Sequence, residues 1–158
     1  MKTVILGSGN GTNAKAIVEA QSNELLGNTQ VLAILSDQKE AGILEIAKSH
    51  KIHNQYLDPG PFNTKINEKS ELTWIKTIRE YEPDLIVLAG FMRILTATFL
   101  NAFPGMILNL HPSLLPSFKG LHAIDQAFAH GVKISGCTVH WVNDQLDGGK
   151  IIAQAPVR

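Results

Sequence analysis

Along the chain, short unbroken apolar runs alternate with longer stretches in which apolar residues recur every three or four positions. That alternation predicts βαβ units around a parallel sheet, an α/β fold class. Residues 3–6 read as a buried first strand and residues 7–11 as its glycine-rich turn. From Thr12 onward, Ala14, Ala16, Ile17, Val18 and Ala20 suit a helix, with Thr12 or Asn13 available as its N-cap. Residues 31–35 make a second strand, 43–47 lie in a second helix, and 52–57 form a weaker third strand. Pro59, Gly60 and Pro61 then break the chain into a loop. Leu72, Ile75 and Ile78 place a helix over 68–80, and Pro83 stops it before 85–89, the most continuously apolar strand and therefore the expected centre of the sheet. A short helix over 96–103, a buried strand over 106–110, an irregular loop over 112–120 and a helix over 123–129 follow. Strands over 138–142 and 151–153 flank Asp147-Gly148-Gly149. No internal repeat, linker or low-complexity segment interrupts this order.

At 158 residues the chain is the size of one domain with a sizeable core. Its 44% hydrophobic and 18% charged residues exclude a disordered chain. Fourteen basic and fourteen acidic residues cancel, so no global field favours nucleic acid or an acidic membrane, and any anion site must be local. The longest apolar stretch, residues 85–92, is far short of the roughly 20 residues that span a bilayer. With Cys137 alone, neither an internal disulfide nor a multi-cysteine metal site can form, which fits a reducing cytoplasm. Cys137 itself reads as a small buried core residue. The histidines do not fall in a ligand-spaced cluster, so no metal is expected.

Four segments carry candidate chemistry. Gly7-Ser8-Gly9-Asn10-Gly11-Thr12-Asn13 joins a strand to a helix; its glycines let backbone N–H groups approach an anion, and the helix N-terminus adds positive potential suited to a phosphate. A dinucleotide fingerprint would need glycine at position 12, which is Thr12, although Asp37 lies where a ribose-binding acid would sit. The Walker pattern is absent, and a merely tight turn is the structural alternative. Asn109-Leu110-His111-Pro112-Ser113-Leu114-Leu115-Pro116 begins on a strand, so Asn109 and His111 project from one face at the strand end, where open α/β sheets bind ligands. His50, His53, His122, His130 and His140 read as ordinary hydrogen-bonded residues. Asp144-Gln145-Leu146-Asp147-Gly148-Gly149 is by itself a turn signal; set against His111, its carboxylate would favour the imidazolium and raise its pKa. Gly90-Phe91-Met92-Arg93-Ile94-Leu95 follows the central strand and would line the same crevice with backbone groups and apolar walls suited to a flat heterocycle; an ordinary loop is the alternative.

Taken together, S-G-N-G-T-N, A-G-F-M-R-I-L, N-L-H-P-S-L-L-P and the late D-x-L-D-G-G resemble the glycinamide ribonucleotide formyltransferase family of purine biosynthesis over essentially the whole chain. The resemblance implies a mostly parallel twisted sheet with helices on both faces, a Rossmann-like formyltransferase fold over residues 1–158. It further implies transfer of the formyl group of 10-formyltetrahydrofolate, as cosubstrate, to the amine of glycinamide ribonucleotide, with no metal, nucleic acid or membrane partner, by a monomer or homodimer. By the same resemblance Gly11, Thr12 and Asn13 hold the substrate phosphate, and Asn109, His111 and Asp147 are the catalytic trio. Met92, Arg93, Ile94 and Leu95 match folate-binding segments, as do Asn143, Asp144, Gln145, Leu146 and Asp147. Asn109 also faces the folate, and Lys65 takes the place of a basic residue that meets it.

The N-x-H-P-S-L-L-P element is shared by wider users of 10-formyltetrahydrofolate. A hydrolase, a formyltransferase with another acceptor, or a non-catalytic nucleotide-binding module therefore stand as alternatives. Family members continue with a further stretch that includes a helix, whereas this chain stops five residues after Ala153, so a missing C-terminal segment is expected.

Overall fold

The computed structural model describes residues 1–157 and arranges seven strands in one sheet in the order β3-β2-β1-β4-β5-β6-β7. β1 (Lys2–Leu6), β2 (Gln30–Ser36), β3 (His53–Tyr56), β4 (Leu85–Leu88) and β5 (Ile107–His111) run parallel. β6 (Ser135–Trp141) and β7 (Ile151–Val157) are antiparallel to their neighbours. As the unbroken apolar run predicts, β4 lies fourth of seven, and all of its residues are buried. A parallel strand covered on both faces needs such a run.

Each face of the sheet has its own core. On one, α1 (Thr12–Ser22) and α2 (Gly42–Ser49) bury Ala14, Val18, Ile43 and Leu44 against Ile5, Ile34 and Val87. On the other, α3 (Glu68–Arg79) and α4 (Ala97–Ala102) bury Trp74, Ile78 and Phe99 against Val4, Leu6, Ile86 and Leu88. Alternate residues of β1 thus feed opposite cores, as strand pleating requires. Asn67 and Thr96 cap α3 and α4 by accepting from the N–H of Ser70 and Phe99. α1 differs from expectation. Its N-cap is Gly11 at φ 79°, with no side-chain cap. A side chain at position 11 would carry a strained left-handed backbone and set its Cβ 2.6 Å from Ile43 Cα.

The antiparallel end is longer than the apolar pattern predicts. β6 begins three residues before 138 and β7 runs four beyond 153, because residues 135–157 pair as one ribbon with Gly136 opposite Pro156. Those two residues disguise a strand in sequence, yet an edge strand tolerates proline. Every residue of β7 is exposed, and Ile124 and Phe128 of α5 (Ala123–Ala129) are 67% and 88% exposed. Cys137 is also exposed, which corrects its expected place in the core: it lies on the strand face opposite buried Thr138 and His140. No helix among the described residues is long and apolar enough to cross a membrane.

Candidate active site

β1 sends the chain to β2 on one side of the sheet while β4 pairs on its other side. This switch point opens a crevice beyond the strand C-termini. The crevice has a volume of about 420 Å³. Asn13 at the start of α1, Gly90 to Met92 after β4, Asn109 and His111 at the end of β5, and Leu146 and Asp147 from the β6–β7 connection all line it. A larger cavity of about 530 Å³ lies between α5 and the antiparallel strands, but among the described residues Lys133 and Cys137 are its only ionisable lining groups. The convergent polar groups are in the first.

Asp147 is the hub of the cluster. Its Oδ2 lies 3.3 Å from His111 Nδ1 and accepts from the Gly120 N–H at 2.8 Å. Its Oδ1 accepts from Asn109 Nδ2 at 3.5 Å and lies 3.6 Å from His140 Nε2. The backbone of Asp147 is left-handed, at φ 46°. Gly149 is needed two residues on, because a Cβ there would overlap the Trp141 carbonyl oxygen. The other ring nitrogen of His111, Nε2, faces the Phe118 carbonyl at 2.8 Å, so both imidazole nitrogens meet oxygen acceptors. The trio expected from sequence therefore meets in space, although Asn109 and His111 do not bond each other and are joined through Asp147.

Sequence reasoning gave His140 an ordinary structural role. Register makes it part of the cluster: β5 and β6 pair Asn109 with His140 and His111 with Thr138, putting all four side chains on one sheet face. Period-two spacing of Thr138 and His140 was the available signal, but only the strand pairing identifies the neighbour. His140 Nδ1 faces the Trp141 carbonyl at 2.9 Å, and Nε2 lies 3.2 Å from Asn109 Nδ2. With Nδ1 protonated, a neutral His140 accepts from Asn109, whereas a protonated one turns a second N–H toward Asp147. The hydrogen bond to Asp147 raises the His140 pKa against the opposing effect of burial. Burial pushes the Asp147 carboxyl upward, but hydrogen bonds from His140 and the Gly120 N–H, with the charges of His111 and His140, hold it below the ordinary value.

The glycine turn contributes backbone. The N–H groups of Thr12, Asn13 and Ala14 have no protein acceptor among the described residues, while Gly11 carbonyl accepts from Lys15 at 2.8 Å. These unpaired donors form the usual anion-facing end of a helix. Asp37 is not free for a ribose: Arg93 Nε donates to its Oδ2 at 2.6 Å, which removes the main support for dinucleotide binding.

Of the segment 92–95, Met92 and Ile94 are exposed and Met92 lines the crevice, whereas the Arg93 side chain is buried, so its charge is turned into the protein. Lys65 bridges to Ile94 with its ammonium 4.8 Å from the Phe62 ring, which brings the 62–65 loop beside that segment. Asn143 closes a local turn by accepting from the Gln145 N–H, Asp144 and Gln145 are exposed, and Leu146 projects into the crevice. Among the remaining histidines, His122 lines the crevice rim beside Asp125, whereas His50, His53 and His130 make local contacts away from it.

A crevice at the switch point of the sheet, where an amide, an imidazole and a carboxylate converge beside a helix N-terminus, is suited to group transfer, and residues 1–158 match the formyl transferase family. The chain belongs to that family. It is 43% identical over 158 residues to phosphoribosylglycinamide formyltransferase of Escherichia coli (strain K12), covering 99% of this chain and 73% of that protein. It is 38% identical over 156 residues to the enzyme of the same name from Bacillus subtilis (strain 168), covering 99% and 78%. The crystal structure of glycinamide ribonucleotide transformylase 1 from Symbiobacterium toebii superposes with a TM-score of 0.91 at 39% identity, covering 99% of this chain and 73% of that one. The α/β class and mostly parallel sheet read from the sequence are those of these structures.

Proposed function

We propose that this chain transfers the formyl group of 10-formyltetrahydrofolate to the amine of glycinamide ribonucleotide, a step of purine biosynthesis. One observation carries the reading. A single crevice is lined by Asn13 at the start of α1, by residues 90–92 and by the Asn109, His111 and Asp147 cluster, so an anion-facing helix end, a wall suited to a heterocycle and the polar groups that would act on a reacting carbon share one volume. Residues 1–157 act as one unit, because every wall of the crevice is carried by strands of one sheet or by the helix and loops that connect them.

The amine attacks the formyl carbon, and the carbonyl electron pair moves to oxygen, giving a tetrahedral intermediate. Asn109 Nδ2 carries two hydrogens; one is engaged by His140 or Asp147, and the other donates to the oxyanion. His111, as imidazolium, keeps one N–H on Asp147 and exchanges the Phe118 carbonyl for the oxyanion with the other. The amine proton passes to the departing folate nitrogen through a water held by Asp147. The carbon–nitrogen bond to the folate then breaks as the carbonyl re-forms, releasing tetrahydrofolate. The substrate phosphate sits on Gly11, Thr12 and Asn13, and the folate lies along 92–95 and 143–147 with Lys65 at its outer end. The cytoplasm, where both small molecules would be met, suits the lone unbridged cysteine.

Absorbance of released tetrahydrofolate, followed with and without glycinamide ribonucleotide, tests the proposal. Turnover that needs both substrates is expected. Donor hydrolysis without acceptor, or transfer only to an aminoacyl-tRNA or a sugar nucleotide, would overturn the assigned acceptor; tight binding of a dinucleotide without transfer would overturn the chemistry.

A further inference from the structure

The segment 92–95 has no regular secondary structure, yet it is fastened on two sides. Toward the glycine turn, the Met92 N–H donates to Ser8 Oγ at 2.8 Å and the Ser8 N–H donates to the Gly90 carbonyl at 3.0 Å. Toward the 62–65 loop, the Ile94 N–H donates to the Thr64 carbonyl at 2.9 Å, and Arg93 Nη1 donates to the Phe62 carbonyl. The second fastening depends on where the Arg93 guanidinium is held. Its side chain is 8% exposed, and its ion partner is Asp37, 1% exposed, placed by the end of β2. Gln38 Nε2 donates to the same carboxylate oxygen at 3.1 Å.

A guanidinium presents several donors in a rigid fork, so one group can bind the carboxylate and the loop carbonyl together. Without the carboxylate, the cation would be buried against a neutral carbonyl alone, a state that drives arginine outward into water. Its departure would free Phe62 and loosen the 62–65 loop from Ile94. The glycine-turn side, held through Ser8, would be untouched.

We infer that Asp37 is a positioning residue for the formyl donor. It touches no substrate, but through Arg93 it locks the 62–65 loop onto 92–95 and so sets donor affinity independently of the phosphate site. This rests on the assignment of 92–95 to the folate in the proposed function, so the test has one arm with activity and one without.

In the arm without activity, amide hydrogen exchange is compared for the ligand-free wild type and Asp37→Asn. The Ile94 amide is expected to exchange at least tenfold faster in the variant, with the Ala89 amide, bonded to Leu6 in the sheet, unchanged. In the activity arm, the KM for 10-formyltetrahydrofolate rises about tenfold, while the KM for glycinamide ribonucleotide and kcat move less than threefold. A second variant, Asp37→Leu with Arg93→Met, replaces the ion pair by apolar groups and guards against simple unfolding. It is expected to keep the wild-type melting temperature within a few degrees and still show the fast Ile94 amide and the raised donor KM.

Unchanged Ile94 exchange overturns the inference whatever the activity. So does a kcat loss at unchanged donor KM, or an equal rise in both KM values. Fast exchange at Ile94 in an enzyme whose wild type transfers no formyl group would leave the lock standing and overturn the functional assignment instead.

Discussion

The two ends of the sheet are built on different terms. Strands β1, β2 and β4 lie between two helical layers and are almost wholly buried, and there the site is made of backbone: a turn so closely packed at Gly7 and Gly11 that a Cβ at either would clash, and helix N–H groups left without a partner among the described residues. At the other end β6 runs antiparallel to β5, and β7 to β6, toward an exposed edge, and the site is made of side chains set by register on alternate positions. The parallel half thus supplies a rigid platform whose weak point is steric, while the antiparallel half supplies functional groups whose weak point is chemical. Substitutions should separate the two.

The largest effect on folding is expected in the platform. Phe99 is fully buried between α4 and the sheet, and Phe99→Ala should cost about 3 to 5 kcal/mol in urea unfolding. A loss under about 1 kcal/mol would show that this half is not the tightly packed one. Next comes Gly11→Ala, which combines a left-handed backbone with a Cβ forced against Ile43. It should destabilise by about 2 to 3 kcal/mol and raise the KM for glycinamide ribonucleotide, read by thermal unfolding and initial rates.

At the antiparallel end the His140–Asp147 contact makes stability depend on pH. His140 has its pKa raised on folding, so its contribution is full below the ordinary histidine value of about 6.5 and is lost as pH rises through the folded value. Asp147 is shifted down, so its contribution is present above the ordinary aspartate value of about 3.9 and is lost as pH falls through the folded value. The stability advantage of wild type over His140→Gln should therefore shrink between pH 6 and 9 in urea titrations. A constant difference would remove His140 from the cluster's electrostatics. The smallest effect is expected at the exposed edge, where Phe128→Ala should change unfolding free energy by less than about 0.5 kcal/mol. A core-like loss there would mean that the edge is as closely packed as the platform.

How far the sequence could be read follows the same division. In the parallel half, continuous apolar runs and helical spacing gave every strand and helix to within a few residues, because burial on both faces leaves a strong pattern. The N-cap of α1 was misread because Thr12 and Asn13 are good capping residues, whereas the packing of Ile43 demands glycine one position earlier. In the antiparallel half, Gly136 and Pro156 hid the length of the ribbon, and the exposure of Cys137 depends on which face lacks a covering layer. Asn109 and His111 were legible as a strand-end pair. His140 was not, because its partner is fixed by pairing across 31 residues. Asp37 suggested a ribose acid by position, and only the fold reveals Arg93 as its partner.

The central claim is that Asn109, His111 and Asp147 act as one unit on a single migrating carbon. A double-mutant cycle on kcat with His111→Ala and Asp147→Asn tests it most directly. Each single change is expected to lower kcat by about 10²- to 10³-fold, roughly 3 to 4 kcal/mol, and the double variant to be hardly worse than either. Losses that simply add, or near-wild-type turnover in His111→Ala, would contradict it.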